Sequence, residues 1–314
     1  MKKVCVLMST YNGEKYIKKQ IDSILSQKGN FKLSLVVRDD GSKDNTINIL
    51  DEYKKKGKLL WYKGKNLKPA RSFIELVFMV EPEFDYYLFS DQDDYWFDNK
   101  VQSAINKIDD RVPCIYYSNP ELVDENLKSL GRKVYKSVPS NNFESVICGV
   151  NAIGCTILFN NSLLGIIRKY KKPNVVEMHD SYICKVCVSV GGKIIYDDNA
   201  YMKYRQHSNN VIGVKTGLVK KVIKFFKDIF QKRSISISEQ AEEILRLYSN
   251  EICPYNQDFL KKVSEYKTHF FNKLSLAFSP KLKYSSLRMK IMIRLAILNG
   301  SRWNTKERKI DERI

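Results

Sequence analysis

At 314 residues with 43% hydrophobic side chains, the chain fits a globular protein and is long for one compact domain, so a catalytic domain with an appendage is expected. The formal net charge of +19 is uneven, with 22 Lys/Arg against 10 Asp/Glu in residues 211–314. Such a basic tail suits nucleic acid, an anionic membrane or phosphate-bearing substrates, and with no apolar run of about 20 residues a spanning helix is excluded.

The chain starts Met1-Lys2-Lys3 and passes at once into Val4–Met8, too short for the apolar core of a signal peptide, so a cytoplasmic location is expected. Val4–Met8 reads as a buried parallel strand that breaks into Ser9-Thr10-Tyr11-Asn12-Gly13-Glu14. Tyr16, Ile17, Ile21, Ile24 and Leu25 then recur at helical spacing. Leu33–Val37 is a second strand, ending in Arg38-Asp39-Asp40-Gly41-Ser42, and the helix after it has Asp44 or Ser42 as its expected cap. Leu59–Tyr62 gives a third strand and Ser72–Val80 a third helix. Tyr86–Phe89 is a fourth strand, closed by Asp91-Gln92-Asp93-Asp94.

Strand and helix alternating in units of roughly 30 residues predict a parallel α/β sheet, whose strand C-termini line a ligand crevice. Three polar clusters fall there: Thr10-Tyr11-Asn12, Asp39-Asp40-Gly41-Ser42 and Asp91-Gln92-Asp93-Asp94. Asp91 and Asp93 suit a hard cation such as Mg²⁺ or Mn²⁺, which would in turn hold a diphosphate. The bland alternative is a solvated turn, with Asp94 capping a helix at Tyr95-Trp96-Phe97. For Asp40 the expectation is a structural role in fixing the Gly41-Ser42 turn.

Further along, Ser181–Val188 reads as a buried helix, so Cys184-x-x-Cys187 is expected to be core rather than half a zinc site. A short strand follows at Ile194–Tyr196. From Leu218 to Lys232 apolar residues alternate with lysines, and Leu282 to Trp303 mixes Arg and Lys with Met, Ile and Leu. Both profiles fit helices lying in a membrane interface, or helices docking an apolar face on the catalytic domain or on a second subunit.

These segments together resemble glycosyltransferase family 2, enzymes of the GT-A fold that move a sugar from a nucleoside diphosphate to an acceptor hydroxyl. The residues carrying the resemblance are Met8–Glu14, Val36–Thr46, Ser90–Trp96, Asn151–Thr156, His179-Asp180 and Tyr204–Gly213, in family order. Ser90-Asp-Gln-Asp-Asp-Tyr-Trp96 and Tyr204-Arg-Gln-His-Ser-Asn-Asn210 resemble the bacterial rhamnosyltransferases of surface-polysaccharide assembly in particular.

The resemblance implies a Rossmann-like, mainly parallel sheet flanked by helices over residues 1–213, and a helical, basic region over 214–314. It implies Thr10, Tyr11 and Asp39 at the nucleotide base, Arg71 near base and phosphates, and Asp91 toward the ribose. It further implies Asp93 and His207 on Mn²⁺ or Mg²⁺, with Arg205 toward the diphosphate. Asp180 is implied as the base of an inverting transfer, Gly154 beneath the donor sugar, and Trp96 and His179 on the acceptor side. One departure stands out, because a glycine is common two residues after the family asparagine and here Lys68 follows Asn66. The expected donor is a dTDP- or UDP-sugar, dTDP-L-rhamnose first. The expected acceptor is a lipid-linked saccharide at the inner face of an anionic plasma membrane, and a homo-oligomer is possible.

Two rivals remain from the sequence. A non-enzymatic nucleic-acid or membrane binder would explain the charge, but no helix-turn-helix, finger or RNP pattern is present. A nucleotidyltransferase would also use paired aspartates, but it wants a glycine-rich phosphate loop where Ser9–Glu14 offers one glycine.

Overall fold

The structure is a computed structural model that describes residues 1–149, 152–206, 235–284 and 286–299. His207, Asn151, the lysine-rich segment 218–232 and the end of the second basic segment lie outside the described residues. A seven-stranded sheet forms the centre, in spatial order β10 (Lys193–Asp197), β6 (Cys114–Ser118), β9 (Ile157–Asn160), β4 (Tyr86–Ser90), β1 (Lys2–Thr10), β2 (Phe31–Asp39) and β3 (Leu60–Lys63). Only β9 runs antiparallel to its neighbours. The result is the mixed, mainly parallel sheet expected.

Side-chain alternation sends β1 and β4 into two cores. Cys5, Leu7, Tyr87 and Phe89 meet helices α3 (Lys68–Met79), α5 (Phe143–Cys148), α6 (Asn161–Arg168) and α7 (His179–Ser189). On the other face Val4, Val6, Met8 and Leu88 meet α1 (Ile17–Leu25), α2 (Thr46–Lys55) and α4 (Lys100–Ile105). Both faces of β4 are therefore covered, which is why its sequence is an unbroken buried run.

Beyond residue 235 come α8 (Ile237–Tyr248), α9 (Pro254–Glu265), α10 (Phe270–Ala277) and α11 (Leu287–Leu298). α8 opens with a capping box, Ser236 accepting from the Glu239 N–H, and buries Ala241, Ile244 and Tyr248 in the same core as α7. Among the described residues no helix is long and apolar enough to cross a membrane.

One expected element differs. Asp94 caps no helix, because Tyr95–Trp96 form a two-residue strand, β5, in a second sheet ordered β5, β11 (Met202–Arg205), β7 (Glu121–Val123) and β8 (Ser129–Lys133). Pairing with β11 holds the segment extended, and the Asp94 carboxylate accepts the Arg205 N–H at 3.1 Å instead. The cysteines behave as expected, with Cys184 and Cys187 buried and unbridged.

Candidate active site

The chain passes from β1 out to β2 and β3 on one side, then returns to place β4 on β1's other flank. In an open α/β sheet such a reversal of strand order leaves a crevice at the strand C-termini. Register brings Thr10 beside Asp39 and Met8 beside Ser90, so all three polar clusters open onto that one edge.

Gln92 ties two of them together. Its side-chain oxygen accepts from Thr10 Oγ1 at 2.5 Å and from the Tyr11 N–H at 2.9 Å, while its amide donates to the Tyr11 carbonyl at 3.1 Å. Thr10 is buried by this clasp and Tyr11 is left 40% exposed at the rim.

Asp39 takes the turn-fixing part expected of Asp40. Asp39 has no exposed surface, and its carboxylate accepts the Gly41 and Ser42 N–H groups at 3.1 and 2.9 Å and the Ser42 hydroxyl. It forms the turn in which Gly41 sits at φ +90, and a buried carboxylate so committed offers nothing to a base in this conformation. Asp40 instead pairs with the buried Arg38 guanidinium and accepts the N–H groups of Leu67 and Lys68. Lys68 itself lies at φ +65, so the loop keeps the left-handed turn for which glycine is the usual residue. Arg71 is exposed and donates to the Asn174 carbonyl at 2.7 Å.

Past β4 the acids gather. Oxygens of Asp91 and Asp94 and the Cys155 sulfur all lie within 4.8 Å of one another. Burial and the Asp93 charge push the Asp91 carboxyl up to about 7, and Asp94 rises well above the ordinary range for the same reasons. One Asp94 oxygen is buried without a hydrogen-bond partner. Asp93 is half-buried and sits close enough to raise both neighbours. Asp91 and Asp93, on the open side of a carboxylate cluster that disfavours its own ionisation, fit a divalent cation bound through oxygen. Cys155 is a poor ligand here, because burial and the acids keep its thiol protonated. Asp94, read as a cap, thus joins Asp91 in the compact group, while Asp93 stands outside it.

Beneath the cluster lies Lys100, which the sequence reading did not single out. It is 3% exposed, donates to the Cys155 carbonyl at 2.6 Å and sits 4.3 Å from the Trp96 ring centroid. Burial lowers its pKa to about 8, and its charge favours ionisation of Asp91. A lysine at the start of a short helix carries no sequence signal for this. Trp96 is 1% exposed and belongs to this floor, in the core rather than on an acceptor face.

The one-turn helix Gly154–Thr156 links the cluster to Asp180. Asp180, in the first turn of α7, accepts the Gly154 N–H at 3.1 Å and its own neighbour's, Ser181, at 2.6 Å. Desolvation outweighs these bonds and raises its pKa to about 6, and its charge in turn raises Asp91. The next residue along the turn is Cys155, at the Asp91–Asp94 group. Gly154 is required for space, since a Cβ there would stand 2.5 Å from His179 Nε2.

His179 is buried, stacked on Phe73 with centroids 4.0 Å apart, and neither ring nitrogen has a hydrogen-bond partner. Burial lowers its pKa to about 3, so it is a neutral core residue and not on an open acceptor surface. Arg205 also turns inward, donating to the Asp93 carbonyl at 2.6 Å and to the Glu125 carbonyl, with its guanidinium over Tyr16. It braces the Asp93 backbone.

A profile described as Glycosyl transferase family 2 matches residues 5–163. The dTDP-rhamnosyl transferase RfbG of Shigella flexneri is 30% identical over 225 residues, a match covering 66% of this chain and 73% of that protein. A UDP-Glc:alpha-D-GlcNAc-diphosphoundecaprenol beta-1,3-glucosyltransferase of Escherichia coli, WfaP, is 24% identical, covering 52% of this chain and 62% of its own length. Among solved structures, S. aureus TarS 1-349 in complex with UDP-GlcNAc aligns over 95% of this chain and 91% of its own at a TM-score of 0.53 and 16% identity, a likeness of fold.

Proposed function

The chain belongs to glycosyl transferase family 2, and from that premise we propose that it transfers L-rhamnose from dTDP-L-rhamnose, with inversion, to a hydroxyl of a lipid-linked saccharide in surface-polysaccharide assembly. The observation that carries the reading is the Gly154–Cys155 turn, which sets a proton acceptor, Asp180, against the Asp91–Asp94 group.

Inversion is an in-line displacement at the anomeric carbon. Asp180 is ionised above about pH 6, and it takes the acceptor hydroxyl proton as that oxygen forms the new glycosidic bond. The bond from the anomeric carbon to the diphosphate oxygen breaks, and the nucleoside diphosphate leaves. A bound Mn²⁺ or Mg²⁺ supplies stabilisation of the charge on the departing diphosphate. Asp91 and Asp93, both half-buried, are the acids with access to it, while Asp94 lies behind them on the Arg205 N–H. Stacking of the nucleotide base on Tyr11 is supported by the exposure of its ring at the crevice rim. The enzyme works as a peripheral protein at the cytoplasmic face of the membrane that carries its acceptor.

The name of the RfbG relative supports the rhamnosyl donor. The fold shared with a protein solved with UDP-GlcNAc supports a second reading, a UDP-hexose or UDP-N-acetylhexosamine donor. Thermal unfolding with each nucleotide sugar, with and without Mn²⁺, separates the two. A donor binding the native state at one hundred times its Kd adds about 2.7 kcal/mol. dTDP-L-rhamnose with Mn²⁺ is expected to give the largest shift, and a larger shift with a UDP-sugar would replace the rhamnosyl reading by the second.

A further inference from the structure

α11 breaks the rule that a surface helix turns polar residues to water. Its inner face buries Ala296, and Ile293 and Ile297 join the main core. On the opposite side Leu287, Ile291 and Leu295, spaced one turn apart, are 71, 42 and 36% exposed. α10, packed on α11, adds Phe270 and Phe271 at 66 and 83%.

The segment that carries this surface is basic. Residues 266–299 hold seven Lys/Arg and no Asp or Glu. On the helix itself, Lys290 borders the Leu287–Ile291–Leu295 stripe on one side and Arg288 on the other, while Arg294 turns its guanidinium to the Ser279 carbonyl. An open cleft of about 420 Å³ beside α11 is lined by Lys283, Lys290, Tyr284 and Val138, among others.

We propose that the α10–α11 face is a membrane-docking surface for an anionic phospholipid bilayer, with the apolar stripe entering the acyl boundary and the flanking cations meeting lipid phosphates. Exposed apolar residues framed by cations, in a segment that carries no acidic residue of its own, match that partner better than a second protein surface. With 12 residues α11 extends about 18 Å, short of the roughly 30 Å hydrocarbon core, so it lies along the interface. The inference rests on the proposed function in one respect, the lipid-borne acceptor that gives a bilayer-bound transferase its substrate.

The test is co-sedimentation of the full chain with vesicles of phosphatidylcholine alone and of phosphatidylcholine mixed with phosphatidylglycerol. Binding is expected only with phosphatidylglycerol, weakening at high salt. Lys290→Ser and Arg288→Ser are each expected to lower affinity about fivefold, and the double variant Leu287→Ser/Ile291→Ser to abolish binding. Thermal unfolding confirms that each variant is folded, and because the stripe is exposed the melting temperature is expected to hold. Failure to bind, equal binding to both vesicles, or unchanged binding by the folded double variant would overturn the proposal. So would a wild-type dimer that becomes monomeric in the double variant, since the face would then join two copies. Transfer to a water-soluble acceptor is expected to be unchanged in the double variant. If wild type sediments with vesicles but transfers no sugar, the proposed function fails and the docking surface stands.

Discussion

Replacing Asp180 with asparagine separates the chemical role of this carboxylate from its structural one. Asp180→Asn keeps an oxygen for one of the two N–H groups it now accepts, from Gly154 and Ser181, but points an amide N–H₂ at the other. Leaving one buried N–H unpaired costs about 1 to 3 kcal/mol. Against that, keeping the carboxylate ionised at pH 8, when burial lifts its pKa from 3.8 to about 6, costs the native fold about 3 kcal/mol, and the neutral amide is spared this. The two effects nearly cancel, so at pH 8 the variant is expected to unfold within about 2 kcal/mol of wild type. Turnover has no such compensation. Loss of a general base removes about 10²- to 10⁴-fold, while donor affinity, measured by titration calorimetry, is expected to change little. The wild-type rate should also fall about tenfold per pH unit below pH 6, and the variant should lose that dependence. Turnover within about threefold of wild type would refute the assignment of Asp180 as base. Loss of donor binding in a folded variant would show that the carboxylate holds the donor instead.

Two further outcomes follow from the loops and the acid cluster. Lys68 holds a left-handed conformation that costs an L-residue about 1 to 2 kcal/mol, partly offset in glycine by its greater unfolded-state entropy. Lys68→Gly is therefore expected to raise the melting temperature by about 1 to 3 °C in calorimetry, and a fall would show that the lysine side chain stabilises the loop. In EDTA, stability is expected to rise as pH falls from 8 toward 5. Asp91, at about 7, and Asp180, at about 6, take up protons in the folded state before their unfolded counterparts do near 3.8. Each contributes about 1.4 kcal/mol per pH unit below its folded pKa, and His179 works the other way below 6.5 because its folded pKa of about 3 leaves it neutral. Mn²⁺ held by ionised acids should flatten or reverse the rise, and a stability that falls from pH 8 to 6 in EDTA would contradict the cluster's geometry.

What the sequence made legible was the half of the fold built from local, repeated units. Val4–Met8, Leu33–Val37 and Tyr86–Phe89 are apolar runs because both sheet faces are covered, and each appears as a strand within two residues or so of the expected ends. Ser181–Val188 likewise lies inside α7. The second sheet was not legible, because β5, β7 and β11 are short and depend on pairing between segments about a hundred residues apart. That is why Asp94 read as a helix cap: Asp before Tyr-Trp-Phe satisfies the local rule, and only pairing of Tyr95–Trp96 with β11 overrides it.

The site residues divide along the same line. Asp91 and Asp93 could be picked out because carboxylates at a strand end are visible in one dimension, and Asp180 through the His179-Asp180 pair that carries the family resemblance. The inward turns of Arg205 and His179, and the hold of Asp40 on the Leu67 and Lys68 N–H groups, depend on partners distant in the chain. Lys100 gave no signal because a buried lysine and an exposed one look alike until the Trp96 ring and the Cys155 carbonyl are placed around it.

The central claim, an inverting and cation-dependent sugar transfer, meets its most direct test in the product itself. The purified protein is incubated with dTDP-L-rhamnose, Mn²⁺ and a lipid-linked saccharide acceptor, and the anomeric configuration of the new linkage is read by NMR beside a control in EDTA. The account predicts a glycoside of configuration opposite to the donor's, with nucleoside diphosphate released in equal amount and no product in EDTA. A linkage that retains the donor's configuration, or full turnover in EDTA, would contradict it.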